Sequence, residues 1–390
     1  MKLFFCIFCT ILFLNISNAA YYDTLPAGIR NFTYRYIETG AITGSYGSTG
    51  DFKGYNINAN INAEALKGIN SAVDIYLDSL TPEEKAIFSF GSFQGAATSK
   101  VATQVFGGGY GLTNQLTLYG FVPFYSAEVD LKIERTQKGR SNIGTAIQLE
   151  NLPDVDVRLI QSLFVNYYNY QPLGKWKAND FGDAELGGMY QLSKNSDGGS
   201  MLSFGAVAPT GREDNPDILQ DLAFGDGQWD AFLELGAGKN LTQIWSIDYW
   251  TRFTYQFAYS SVVRTPVSSV FPVAADESSA RIKLGNKILS NLQNNFKISE
   301  QWTTSLLYSL EYSESTNYQT NNQRTDSILE EDSEKISHIA RLNLGYSTLN
   351  LYQQNKFFAP VNLNLAFQSF LAGKNVPKYE RVDFEVRFFY

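Results

Sequence analysis

The chain has 390 residues, with 31 Lys and Arg against 39 Asp and Glu, a formal net charge of −8. Such an acidic chain lacks the basic face that neutralises phosphates, which excludes nucleic acid as a partner. Aromatics make up 15% of the residues, yet the mean hydropathy is −0.20, a combination expected when every second residue of a strand faces water or a lumen.

In chain order, the first element reads as a secretory signal. Met1-Lys2 supplies a positive start, Leu3 to Leu14 an almost unbroken apolar run, and Ser17-Asn18-Ala19 the small residues of a cleavage site. The run is short of the roughly 20 residues that a spanning helix needs. Cleavage is expected after Ala19 or Ala20, giving a signal peptide over 1–20 and a barrel over 21–390. Cys6 and Cys9 both leave with the signal, so the mature chain is expected to lack disulfides and thiolate chemistry.

About twelve strands come next, over 30–39, 98–110, 115–125, 183–192, 200–209, 228–238, 243–257, 281–297, 301–313, 335–348, 360–370 and 381–390. Period-2 alternation carries them. Leu116, Leu118, Gly120, Val122 and Phe124 share a face. So do Trp229, Ala231, Leu233 and Leu235; Trp245, Ile247, Tyr249, Thr251, Phe253 and Tyr255; and Trp302, Leu306, Tyr308, Leu310 and Tyr312. Aromatics at the ends of these faces match the girdles at the two lipid–water boundaries.

Short connections alternate with long ones. Gly111–Asn114, Ser193–Gly199, Lys239–Thr242 and a few residues near Ser299 are turns, whereas 40–97, 126–182, 210–227, 258–280 and 314–334 are long. Outer-membrane barrels place short turns in the periplasm and long loops outside. Both chain ends are then periplasmic and the strand number even. The connection 349–359 is long for a turn. Within the first long loop, Leu66, Ile69, Val73, Leu77 and Leu80 recur at helical spacing, and Thr81-Pro82-Glu83-Glu84 reads as a helix start. The second contains 159–170, an aromatic stretch that either packs over the mouth as a lid or folds inward as a constriction.

The last element is the plainest. Val382, Phe384, Val386, Phe388 and Tyr390 alternate with Arg381, Asp383, Glu385 and Arg387. This strand resembles the terminal signal that bacterial barrels present to the assembly machinery, with Phe384, Val386, Phe388 and Tyr390 as its apolar face. The fold expected is all-β, a transmembrane antiparallel barrel of about twelve strands with short helices in its external loops, located in the outer membrane of a Gram-negative bacterium.

The middle of the chain carries a further resemblance. Phe181-Gly182-Asp183-Ala184-Glu185-Leu186-Gly187-Gly188-Met189-Tyr190, then Pro209-Thr210-Gly211, and upstream Tyr110-Gly111-Leu112-Thr113-Asn114-Gln115-Leu116 resemble stretches of a family of outer-membrane transporters named for the meta-pathway of phenol degradation. The resemblance spans about residues 98–260 and the terminal strand; the long insertions at 40–97 and 126–182 depart from it. It implies a transporter for aromatic or hydrophobic compounds.

Chemistry elsewhere is sparse. His338 is the single histidine and shares its parity with Ile336, Ala340 and Leu342, on the lipid face near the rim. The outer-membrane phospholipase also has twelve strands, but its Ser two residues after His is missing here, and no Asn–His pair orients the ring. Gly107-Gly108-Gly109 has no following Lys or Ser and is no phosphate cradle. Glu213, Asp214, Asp217, Asp221 and Asp226 crowd one loop without EF-hand spacing and read as solvated charge. No catalytic residue, cofactor or metal is expected.

Charge on the inward parity is the informative feature. Asp183, Glu185, Asp230, Glu234 and Asp248, relieved by Arg252, make one wall acidic. Arg281, Lys283, Lys287 and Arg341, with Arg381, Asp383, Glu385 and Arg387 beside Arg35, make the next mostly basic. Such a lumen is either a salt-bridge network filling a closed barrel or a hydrated pore with a transverse field. The expected function is passive passage of small solutes, with outer-membrane lipid and the barrel-assembly machinery as further partners. The alternatives are a structural or adhesive barrel with a plugged lumen and, less favoured, a barrel lipid hydrolase.

Overall fold

Alternating strands with one apolar face cannot end in lipid with free edges, because no water is there to take up unpaired N–H and C=O groups. The computed structural model, which describes residues 20–67, 71–140, 156–269 and 273–390, meets this by closure. Twelve strands form the ring: β1 (Arg30–Thr39), β2 (Ser89–Gly111), β3 (Leu116–Arg140), β4 (Ala184–Lys194), β5 (Gly198–Ala208), β6 (Asp230–Asn240), β7 (Trp245–Gln256), β8 (Lys287–Lys297), β9 (Trp302–Ser313), β10 (Lys335–Ser347), β11 (Val361–Lys374) and β12 (Glu380–Phe389). Each pairs antiparallel with its sequence neighbours, and β12 returns to β1 in register from Asn31↔Phe389 to Thr39↔Arg381. Arg30 and Tyr390 exchange backbone bonds of 2.8 and 2.9 Å at the foot of this seam, so both chain ends lie at one end of the barrel. The signal segment expected over 1–20 lies, up to Ala19, outside the described residues.

The outer surface is apolar. Leu186, Leu233, Leu235, Tyr249, Phe253, Leu292, Leu306, Leu342, Leu365 and Phe384 are all exposed on the wall, a surface that a bilayer covers. Aromatics cluster at both rims. Trp245 stacks on Phe296 at 6.0 Å and Trp302 tilts on Tyr346 at 4.8 Å at the end of the short turns. Tyr255 meets Phe257 at 4.9 Å, and Phe124 meets Phe181 at 5.2 Å, at the end of the long loops.

Three departures from the sequence expectation have physical causes. First, β2 and β3 run on far past the lipid, pairing out to Ser89↔Arg140, while Asn56–Asn62 joins β2 and Lys175–Phe181 joins β3. Much of 40–97 and 126–182 is thus sheet rather than loop. Charge at Glu128, Asp130, Lys132 and Glu134 hides that strand from an apolar-stripe reading, because the extension has no lipid to face. Secondly, 281–297 is two strands. The wall begins only at Lys287; Glu277–Lys283 turns away and pairs with Tyr259–Arg264 and Asn317–Gln319 outside the barrel. Gly285, between them, lies so close to Glu314 that an added Cβ would meet its carbonyl oxygen at 1.8 Å. Thirdly, the long turn between β10 and β11 holds a short helix, Leu349–Gln353.

Helices are confined to the connections: Ala63–Leu66 (α1), Ser71–Asp78 (α2), Pro82–Ile87 (α3), Val157–Asn166 (α4), Gln323–Glu330 (α5) and the Leu349–Gln353 turn (α6). Thr81 starts α3 with a capping box: its hydroxyl accepts from Glu84 N at 3.2 Å while Glu84 accepts from Thr81 N at 2.8 Å. Leu77 and Leu80 are buried with Phe88 in one cluster. Ile69 lies outside the described residues.

The β1–β12 seam gives a first prediction. Phe388 pairs with Phe32 on one side and Val361 on the other, so deleting Phe388–Tyr390 removes the foot of the seam. The variant is expected to be exported but to lose the heat-modifiable gel mobility of the folded barrel; mobility equal to that of the full chain would contradict this.

Candidate lumen site and its two plugs

With lipid on the outer face, charges in the strands have only the lumen, and buried charges need partners. Strand order sets the walls: β1, β12 and β10 lie across the ring from β7, β6 and β4. On the basic side Asp383 is held by Arg35, by Arg341 at 2.6 Å and by Arg381 at 2.8 Å, while Arg387 pairs with Glu385 at 2.8 Å. On the acidic side Arg252 pairs with Glu185 at 2.8 Å and lies 3.5 Å above the Phe232 ring. Tyr119 OH donates to Glu185 at 3.0 Å, and Asn295 donates to Asp248 at 2.7 Å. Asp383 is 1% exposed and Arg387 0%, so these charges are buried within the paired network.

The remaining charges expected in the lumen are distributed unevenly. Glu234 and Arg341 face inward and are buried, as is Asp230, which accepts from Gln228 at 3.0 Å near the loop end. Lys287 opens β8, 4.0 Å from Asp226. Asp183 lies just before β4, at the mouth. Arg281 and Lys283 do not line the lumen: they belong to the hairpin outside the wall, where Lys283 sits 5.0 Å over Tyr255. The break at Gly285 takes them out of the register that parity alone assigns.

Two chain segments close the barrel, and neither belongs to its wall. At the end of the short turns, residues 20–29 enter the lumen. Tyr21 stacks on Trp250 at 4.6 Å and 10°, and its hydroxyl donates to Glu234. Tyr22 is buried with Met189 and Met201, and its carbonyl accepts from Gln191 at 2.8 Å. Leu25 N donates to Thr117 at 2.8 Å and Asp23 pairs with Lys194 at 2.6 Å. The turn between β2 and β3 grips the same segment: Asn114 accepts from Thr24 at 2.8 Å and from Ala27 N at 2.9 Å. Sequence reasoning missed this plug. Its signal is glycine on the inward parity of β6, where an added Cβ would meet the Tyr21 ring at 2.1 Å from Gly236 and the Tyr22 ring at 2.8 Å from Gly238. Contacts of this kind contribute about 1 kcal/mol each, against about 1–2 kcal/mol per residue to order the backbone. The segment is thus held by side-chain contacts and a few backbone bonds rather than by a strand ladder.

At the other end the connection 209–229 folds inward. Leu222 and Phe224 pack with Ile42, in the connection after β1, and with Val101, Tyr125, Ala127 and Val129 on the inner faces of β2 and β3, and Phe224 stacks on Tyr125 at 5.1 Å. Arg212 clips this loop to itself, pairing with Asp221 at 2.8 Å and donating to Leu222 O at 3.0 Å. The sequence motifs around 181–190 and 209–211 meet here: Asp183 accepts from Gly211 N at 2.8 Å and Asp226 N at 3.1 Å, and Thr210 accepts from Ala184 N at 2.9 Å. Burial and neighbouring Asp226 push the Asp183 carboxyl up to about 7.

The aromatic stretch 159–170 is a lid rather than a constriction. Helix α4 has no buried residue. Arg264, 2% exposed, ties the residues just after this helix to two other loops. It donates to Tyr168 O at 2.9 Å, Asn169 O at 3.0 Å, Pro216 O at 3.1 Å and Ala275 O at 3.0 Å, pairs with Asp217 and Glu277, and lies 4.4 Å over the Tyr170 ring. Of the loop acids, Asp221 thus pairs with Arg212, Asp217 with Arg264 and Asp226 with Lys287, and among the described residues no group of three His, Cys, Asp or Glu could hold a metal. His338 lies on the lipid face with its Nδ1 2.7 Å from Tyr308 OH.

No family model matches this sequence, so the transporter family of the phenol meta-pathway is not shown, and no curated protein matches it either. Solved structures do. An outer-membrane channel from Pseudomonas putida F1 superposes over 95% of this chain and 98% of its own, with a TM-score of 0.54 at 15% identity. A FadL homologue of Pseudomonas aeruginosa covers 95% and 92%, with a TM-score of 0.37 at 9% identity. The Pseudomonas putida toluene transporter TodX covers 96% and 92%, with 0.37 at 12%. The first of these likenesses shows a shared barrel fold.

The loop end generates two tests. Arg264→Ala should leave the barrel heat-modifiable but raise protease cleavage between 157 and 175 by about tenfold as the lid opens locally; unchanged cleavage would show the lid is held elsewhere. A carboxyl whose folded pKa is raised weakens the folded state as pH climbs from its unfolded value of about 3.9 through about 7. Protection of 209–229 in hydrogen exchange should therefore fall over that window, and Asp183→Asn should flatten the fall; an identical pH profile in the variant would contradict it.

Proposed function

We propose that this chain is an outer-membrane channel for passive passage of small solutes, with its short turns and both chain ends in the periplasm. The observation that carries this is the nature of the closure. A lumen with opposed charged walls is stopped by a short N-terminal segment and one loop, not by a packed domain or by wall side chains alone. Rings of oriented charge lower the barrier for a polar solute in a low-dielectric wall, and a loosely held segment can leave without disturbing the ladder. The barrel fold it shares with a solved outer-membrane channel supports the same reading. Tyr125, Phe224 and Leu222 in the outer half, with Trp176 packed against them, suit solutes with an apolar or aromatic part, and the charged walls below suit a polar part. Outer-membrane lipid and the barrel-assembly machinery complete the partners.

A structural or adhesive barrel is the rival, since the same plugs would serve it if they never moved. A lipid hydrolase is less favoured: it needs an oriented base, and His338 is bonded to a tyrosine rather than to an Asn or Asp.

Planar-bilayer conductance separates these. Full-length protein should show small, intermittent openings, and a form lacking residues 20–25 of the exported chain should conduct steadily and several-fold more. Silence from both, in protein shown to be folded, would leave the structural barrel standing.

A further inference from the structure

The basic wall has more cations than it uses. Four arginines, Arg35, Arg341, Arg381 and Arg387, face two carboxylates, Asp383 and Glu385. Three of the guanidiniums converge on Asp383, which leaves Arg387 with Glu385 alone. That bond uses Nη2. Nε and Nη1 of Arg387 are buried with no hydrogen-bond partner, although the side chain is 0% exposed.

Its neighbours in the ladder share the condition. Arg387 stands opposite Thr33 on β1 and Asn362 on β11. Thr33 Oγ1, both side-chain polar atoms of Asn362, and Asn31 Oδ1 are likewise buried without a partner. Unsatisfied buried groups cost about 1–3 kcal/mol each, more when charged, and native structures hold few of them. Several on three adjacent strands around one cation mark a place built to hold something. Beside it lies a cavity of about 20 Å³ lined by Arg387, Asn31 and Asp23, whose charge is met by Lys194 at 2.6 Å, together with Leu25, Tyr119, Phe121 and Met189. With the plug in place that space holds about one water, so a larger occupant reaches Arg387 only as Leu25 withdraws.

We propose that Arg387 and the surrounding polar atoms form a binding step for a carboxylate carried on an apolar body, set directly behind the N-terminal plug. A guanidinium with open donors in a dry wall binds an anion strongly. The aromatic and aliphatic side chains around the cavity favour a carboxylate with an apolar substituent over a fully hydrated anion such as phosphate. Leu25 belongs to the plug itself, so an occupant of the cavity touches the closing segment. The inference deepens the channel reading and rests on it only for its consequence in transport: selectivity for anions.

The test uses purified, folded full chain in detergent and compares benzoate with its neutral isostere benzamide at constant ionic strength. Benzoate should raise the midpoint of heat-modifiability in the wild type, benzamide should not, and Arg387→Gln should abolish the difference. Asn362→Ala, which keeps the charge but removes a neighbour, should weaken the benzoate effect and guards against an Arg387 variant that does not assemble. No shift with benzoate in folded wild type, or a shift with inorganic phosphate and none with benzoate, would overturn the proposal. In a bilayer, the reversal potential in a salt gradient should report anion preference in the wild type and its loss in Arg387→Gln. A silent bilayer with the benzoate shift intact would defeat the channel reading while leaving the site in place; cation preference in the wild type would overturn the selectivity.

Discussion

Lipid offers no hydrogen bonds, and the rest of this structure depends on that constraint. Every backbone group in the wall must be paired by another strand, so the ring closes at β1 and β12. Outward positions in the lipid are mostly apolar, so most of the charge a wall strand carries is pushed to the other face. Twelve strands leave an interior too wide for small side chains to fill and too narrow for an open porin lumen. Charged side chains long enough to reach one another occupy it, and their pairing decides where it is closed. The three-arginine grip on Asp383 and the Arg252–Glu185 pair are consequences of that geometry, not additions to it.

The same economy explains the plugs. A wall fixed in all its hydrogen bonds cannot move without unfolding, so any opening must come from chain that does not belong to the wall. The N-terminal segment is such a chain. It is tied by side-chain bonds to β3, β4, β6 and the β2–β3 turn and by backbone bonds of Gly28 and Ile29 to Gly111, with one stacked ring on β7. The loop 209–229 is held more firmly, through Arg212 and the apolar contact of Phe224 with Tyr125. The outer lid is tied through the Arg264 guanidinium, with Gln171 N donating to Asp217 O at 2.7 Å and Gln220 to Pro172 O at 3.1 Å. Neither the loop nor the terminus is held by a strand ladder, as the wall is.

What could be read in the sequence was whatever lipid enforces. Leu233, Leu235, Tyr249 and Phe253 alternate because a bilayer covers them, and the strands through them stand close to where alternation puts them. Parity also sends Glu185, Glu234, Asp248, Arg252, Arg341 and Arg387 inward. Where lipid no longer acts, the pattern fades. The extension of β2 and β3 carries charge on its faces and reads as loop. Arg281 and Lys283 keep the right parity but leave the wall at Gly285, a packing event that no periodicity reports. The plugs were hidden for a third reason: a segment lying in a lumen has no repeat of its own. Only the complement is written in the sequence, as glycines on the inward face of β6 and as the Asn114 turn.

The claim that matters most is that the N-terminal segment is a movable closure rather than a fixed part of the core. Because no cysteine occurs after Cys9, Asp23→Cys with Lys194→Cys gives a clean pair for a reducible thiol crosslinker across the contact that joins segment and wall. A movable closure predicts that single-channel current is abolished when the pair is crosslinked and returns within the same membrane on reduction. Equal current in the crosslinked and reduced states, with the crosslink verified on a gel, would contradict it.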